Sequence, residues 1–303
     1  GGRGSDPRVR PGIELPASEP TRVRGVAEEL SALLASALPK SGLPLRVQAI
    51  PFRGTDKKAD VQLVVEVLGG GLQFVQSNGQ AEERVELAMA TVDDHGRVAN
   101  GRSTSIDLRL PPGELERVRT TGVRWLSELD LPAGRYQLRV AGRAVGTGAS
   151  GMVTHMVDVP KFERNHLAMS GVTLTSLPSV LMPTRGKRWL AASLDMPPSA
   201  SRVFVRGDRM TAAVEVYAPD AVRGPVESFA EVTGSATGKT ERLIARPAIP
   251  ERTPNREVAF ELDTLILQPG LYVLRISAGS GGSGEHVDRR IAFEVVPAAV
   301  PPG

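Results

Sequence analysis

The sequence predicts an all-β fold: two tandem β-sandwich domains preceded by an extended arm and one helix. Three observations predict it. From LPLRVQAIPF onward, short segments alternate polar and apolar residues, the period of a half-buried strand. Clusters of Gly, Pro, Asp and Asn separate these segments at the spacing of turns. One phrase is written twice, as PAGRYQLRVAG at 132–142 and as PGLYVLRISAG at 269–279.

Length and composition set the bounds. A chain of 303 residues is long for one core and suits two domains that each bury their own interior. Hydrophobic residues make up 41% and charged residues 23%, the balance of a globular protein, and no run approaches the roughly 18 apolar residues of a membrane-spanning helix. No direct membrane span is expected. The chain opens GGRGSDPRVRPG, without the charged start and apolar stretch of a secretory signal, so any targeting peptide is expected to have been removed or to lie upstream. With no cysteine there is no disulfide, thiolate metal site or cysteine nucleophile. Net charge is +3 and the arginines are scattered at strand spacing, which argues against a nucleic-acid partner.

Residues 1–39 read as an extended N-terminal arm and linker helix. In TRVRGVAEELSALLAS, Val26, Leu30, Leu33 and Leu34 recur at helical spacing, Pro20 and Thr21 are start signals, and Pro39 is the stop. This is the one helix the pattern supports, and it is expected to pack on the first domain as a connector. Residues 40–162 read as β-sandwich domain 1, residues 163–297 as β-sandwich domain 2, and 298–303 as a Pro-rich tail. The halves overlay: Val65, Glu66 and Val67 answer Val214, Glu215 and Val216, and Gly134, Tyr136 and Leu138 answer Gly270, Tyr272 and Leu274. They are expected to meet near KFERNH at 161–166.

The repeated phrase has a physical reading. Alternate side chains of a strand share a face, so Tyr136, Leu138 and Val140 point one way and Arg135, Gln137 and Arg139 the other. A Gly-x-Tyr after a turn, with a large apolar residue two positions on, matches the tyrosine corner of immunoglobulin-like sandwiches. Tyr136 and Tyr272 are therefore read as structural tyrosine corners, and the domains as immunoglobulin-like or fibronectin type III-like. The second copy departs on its outward face, where Leu271, Val273 and Arg275 replace Arg135, Gln137 and Arg139. Apolar residues on a nominally exposed face call for cover, so these three are the candidate partner-binding residues, covered by a protein partner or by the first domain.

Motifs that invite chemistry read as turns. In EVTGSATGKT only three residues separate Gly234 from Gly238, one fewer than a phosphate-binding loop needs, and no helix follows. The stretch reads as a hairpin turn equivalent to the one around Gly96. His95, His155, His166 and His286 lack metal-ligand spacing, and His155 reads as a histidine at a core edge. The Gly-rich stretches at 142–151 and 278–286 read as flexible connections between the last two strands of each domain. No catalytic residue, metal or cofactor is expected.

Four stretches carry a family resemblance: SALPKSGLPLRVQAIPFRG, RVRTTGVRWLSELDLPAGRYQLRVAGR, HMVDVPKFERNHLAMSGVTLTS and FVRGDRMTAAVEVYAP. In this order they resemble the C-terminal region of the von Willebrand factor A-related proteins of Acidobacteria and similar bacteria, over roughly residues 28 to 297. The resemblance implies a periplasmic or extracellular location and a preceding A domain. The A domain's metal motif, D-x-S-x-S, occurs nowhere in this chain, so metal-dependent adhesion is not carried to any residue.

The expected function is a non-enzymatic interaction or scaffold module of the cell envelope. Its partner is a protein, either a membrane-embedded complex on whose outer face it docks as an accessory subunit, or an upstream A domain of which it is the adhesin-like tail. The alternative is a carbohydrate-binding module or accessory domain of a secreted hydrolase. That reading wants exposed aromatics or acids clustered around Trp125 or Trp189, in a chain only 4% aromatic.

Overall fold

The computed structural model describes residues 24–36, 38, 40–55, 57–186, 196–218, 226–243, 245–246, 255–282 and 284–298. Over these residues the chain is all-β with β-sandwich character, built of four sheets and few helices. The arm before Arg24, residues 299–303 of the Pro-rich tail and Trp189 lie outside the described residues.

In the first half, Leu45–Arg53, Lys58–Val67 and Val123–Pro132 form one antiparallel sheet with Lys58–Val67 at its centre. The facing sheet runs Ser150–Val159, Gly134–Ala144, Gln80–Asp93, Val98–Leu110. The second half repeats this order. Thr173–Ser176, Arg209–Tyr217 and Asn255–Asp263 form one sheet, and His286–Val296, Gly270–Ser280, Val226–Gly234 and Thr240–Leu243 the other. Val65 and Val214, overlaid by sequence, thus sit in equivalent central strands.

Each half closes on its own apolar cluster. Val61, Leu63, Leu87 and Leu138 centre the first, and Val214, Phe260, Leu274 and Phe293 the second. Burying a side chain of this size contributes about 1.5–3 kcal/mol. The repeated phrase makes the same corner twice. The Tyr136 hydroxyl donates to the Pro132 carbonyl at 3.1 Å, and the Tyr272 hydroxyl to the Gln268 carbonyl at 2.7 Å, each four residues back. Gly134 and Gly270 carry matching φ values of 155° and 156°.

The helix Arg24–Ala35 lies on the outer face of the first half. Leu30 is buried against Ala88, Ala141 and Met152, with Leu33 and Leu34 partly buried beside it; the side chain of Val26 lies outside the described residues. Arg139 Nη1 donates to the Leu34 carbonyl at 2.8 Å, and Arg143 pairs with Glu29 at 2.6 Å. The helix therefore packs on the first half, as a connector would.

The expectation of a single helix is corrected by Pro112–Thr121 and by one turn at Leu177–Val180. Pro112–Thr121 buries only Val118, so it has no apolar stripe to announce it. Its ends hold it instead. Prolines stand at its start, Glu114 pairs with Arg117, and Gly122 stops it at φ 85°. A Cβ at Gly122 would stand 2.0 Å from the Val67 carbonyl oxygen, so the position requires glycine.

The two halves are joined by more than the KFERNH segment. Thr184–Arg185 adds in parallel to the edge of the first half's sheet, pairing with Arg124 and Trp125. Ala200 seals an apolar plate of Ile50, Phe52, Val64 and Leu126 on that sheet's outer face. Farther along the seam, Tyr217 is fully buried. Its hydroxyl accepts the Arg53 N–H at 3.0 Å, the Arg53 guanidinium lies 4.3 Å above its ring, and Phe162 meets it edge-on.

Candidate functional site

The candidate residues Leu271, Val273 and Arg275 stand on the outward side of Gly270–Ser280, opposite the buried Leu274 and Ile276. The first half does not cover them. Leu271 is 61% exposed and Val273 is half-buried. Cross-strand register extends the surface: Leu271 lies opposite Glu294 and Val273 opposite Ala292, while Val203 flanks Glu294 on its other side. Because Phe204 points inward, Val203 and Val205 point out, 42% and 41% exposed. The result is an apolar face of Val203, Val205, Leu271, Val273 and Ala292 around one half-buried carboxylate.

Arg275 belongs to a charged margin of that face. It lies across from Arg290, and Asp288 bridges the two at 3.5 and 3.3 Å. A second apolar outcrop, Leu265 and Ile266, is fixed where Thr264 Oγ1 donates to the Val205 and Asp208 carbonyls. Their exposure follows from the strand register and the Thr264 hydrogen bonds.

The stretches with chemical overtones are turns. Gly238 N donates to the Gly234 carbonyl, Gly148 N to Ala144, and Gly284 N to Ser280, each with the glycine near φ 70°. One hairpin solution is thus used three times. The EVTGSATGKT loop is one of them, as its failed phosphate-loop spacing predicted. The second Gly-rich loop is tied down, because the Glu285 carboxylate accepts from the Leu167 N–H and meets His166 Nδ1 at 3.3 Å. His95 is exposed in the turn after Asp93. His155 is half-buried in a groove between the halves, where burial and then the nearby Arg202 hold its imidazole below its ordinary value. Trp125 is 7% exposed and belongs to the first core. Among the described residues no group of His, Asp and Glu could hold a metal ion, and no helix is long and apolar enough to cross a membrane.

Sequence reasoning missed the polar centre of the seam. Glu66 Oε1 accepts from Arg124 Nε and Nη2 at 3.2 and 3.1 Å, from Ser199 Oγ at 3.2 Å, and from the Ala200 N–H at 3.0 Å. Arg124 also donates to Thr184 Oγ1 and the Ser179 carbonyl. Both side chains are closed to solvent, and burial lowers the guanidinium while Glu66 sustains its charge. The signal lay in QLVVEV and VRWLSEL, where apolar residues occupy both faces of the strand, the mark of a sheet buried on two sides.

No protein-family model matches the chain, and no curated protein matches it.

Proposed function

We propose that the chain is a non-enzymatic interaction or scaffold module of the cell envelope, made of two immunoglobulin-like or fibronectin type III-like sandwiches. The duplicated strand order and the paired Tyr136 and Tyr272 corners support the fold reading. The apolar face around Leu271 carries the functional one. Neighbouring apolar side chains on a sheet, rimmed by Arg275, Asp288 and Arg290, have the composition of a docking surface. The partner is a protein. The resemblance to the C-terminal region of von Willebrand factor A-related proteins supports an extracytoplasmic location and makes an A domain, or a membrane complex bearing this chain on its outer face, the occupant to look for.

The test is a mild-detergent pull-down from native envelopes with the wild-type chain and a Leu271→Asp/Val273→Thr variant as parallel baits. A stoichiometric partner retained by the wild type and lost by a variant of unchanged melting temperature is expected. Recovery of the chain alone, or equal retention by both baits, overturns the reading.

A further inference from the structure

The two halves differ in how they close one edge. In the second half Thr173–Ser176 and His286–Val296 belong to different sheets, and residues 199–206 run between them. The Ser199 N–H donates to the Leu174 carbonyl at 2.8 Å, the Glu294 N–H to the Arg202 carbonyl at 2.8 Å, and the Arg206 N–H to the Val296 carbonyl at 2.9 Å. Val203–Val205 thereby adds in parallel to the last strand, with Phe204 turned inward.

The duplication locates the same positions in the first half. Leu174 pairs with Ala212, two before Val214, and Ala49 pairs with Leu63, two before Val65. Glu294 lies opposite Leu271 and Asp158 opposite Arg135, each one residue before its corner tyrosine. Ala49, Asp158 and Pro160 therefore stand where Leu174, Glu294 and Val296 stand. Here, however, Leu45–Arg53 turns straight into Lys58–Val67, which leaves no room for a counterpart of residues 177–206. The shared register turns the Asp158 N–H and C=O away from the hairpin, as it turns those of Glu294. Among the described residues no backbone group outside the hairpin bonds to Asp158 or Pro160, and the Ala49 carbonyl accepts from the neighbouring Gln48 side-chain amide at 3.3 Å.

This edge faces a groove between the halves. Two adjoining pockets of about 310 and 600 Å³ share Pro51 and Asp158; Ala49, Val157 and Val172 line the smaller and Pro160 the larger. The arginines of its wall are engaged, Arg289 by the Ser170 and Met169 carbonyls and Arg135 by Asp158, so recognition falls to the backbone and to apolar shape. A strand edge with open backbone groups is a template for one more strand. We propose that the first half binds an extended peptide of a partner protein by strand addition, in the manner of the second half's own residues 199–206. The guest runs parallel to Ser150–Val159. Its backbone accepts from the Asp158 N–H and donates to the Pro160 carbonyl, and an apolar side chain lies against Ala49, Val157 and Val172. The groove borders the Leu271 face at Ala292, and the test stands whether or not that face binds a protein.

The probe is a synthetic peptide SASRVFVR, the sequence of residues 199–206, titrated by NMR onto the full ¹⁵N-labelled chain. It is expected to shift the amides of 48–50 and 154–159 and to slow hydrogen exchange at the Asp158 amide by at least about tenfold, the worth of one hydrogen bond. Glu294, already bonded to Arg202, should keep its exchange rate. Methylating the peptide nitrogen that corresponds to Arg206 should weaken binding about tenfold. Asp158→Pro should weaken it by a similar factor at unchanged melting temperature, since proline is tolerated where an edge N–H faces outward. If that variant fails to fold, the methylated peptide decides, because it leaves the protein as it is. No shift at 154–159, equal binding of the methylated and unmethylated peptides, or faster exchange at Glu294, the sign of strand exchange in the second half, overturns the proposal. Protection of Asp158 in the free chain would assign the edge to another segment of this chain, and protection that grows with protein concentration to a second copy; either overturns it too.

Discussion

Arg124 and Glu66 meet 3.1 Å apart with neither side chain open to solvent, on a sheet face that the chain beyond Ser176 closes over. The pair draws its further partners from the chain that closes over it, since Ser179, Thr184, Ser199 and Ala200 all bond to it. Removing one partner strands the other as a buried charge. Arg124→Met or Glu66→Gln is expected to cost about 3–5 kcal/mol in urea unfolding, and Arg124→Met/Glu66→Leu less than the sum of the singles. Additive losses would show that the two side chains act independently.

The two tyrosine corners allow a paired comparison within one molecule. Tyr136 is 6% exposed, so Tyr136→Phe leaves the Pro132 carbonyl with little access to water and should cost about 1 kcal/mol. Tyr272 is more open, and water can replace its hydroxyl at the Gln268 carbonyl. Tyr272→Phe should cost less, as chemical denaturation of the two variants will read.

Asp60 lies directly across from Asp130. Burial, then the charge of Glu128, and more weakly that of Asp130 hold its carboxyl above the ordinary range, with Gln62 opposing. The folded chain therefore holds this proton to higher pH than the unfolded chain. Stability is lost as pH rises from the ordinary carboxylate value through the raised one. Asp60→Asn should raise the melting temperature at pH 7 and give no gain near pH 3, where the carboxyl is protonated in both states. A gain of equal size at both pH values would point to a packing effect.

Leu30 is the main anchor of the helix Arg24–Ala35 on the first half. Leu30→Ala removes most of that apolar contact, worth about 2–5 kcal/mol at a fully buried site. The loss should appear as fast hydrogen exchange across residues 28–35, with protection of the Lys58–Val67 strand unchanged. Equal loss of protection in both would make the helix part of the cooperative core.

Strands such as Gly134–Ala144 were legible by their period-two alternation, and the duplicated corner because Tyr136 and Tyr272 need the same Gly before them. Pro112–Thr121 was not, since helical periodicity is a signal of burial and this helix buries one valine. Its Pro start and Gly122 stop were present and would have found it. The apolar face at Leu271 was visible as a departure between copies. The groove was not, because Arg202, Arg289 and Arg290 come from segments far from His155 in sequence and meet only through the seam. Nor was the addition of Thr184–Arg185 to the first sheet, a pairing of two residues that no periodicity can announce.

That short parallel addition decides how the chain can be taken apart. Cutting after Phe162, where the sequence first divides in two, would leave a fragment without Ala200 over Ile50, Phe52, Val64 and Leu126, and without the serines that help hold the Glu66 pair. Such a piece would present a bare apolar plate and clump. The smallest dissectible form of the first half runs past Arg202, with the strap that belongs to it by contact though not by order in the sequence.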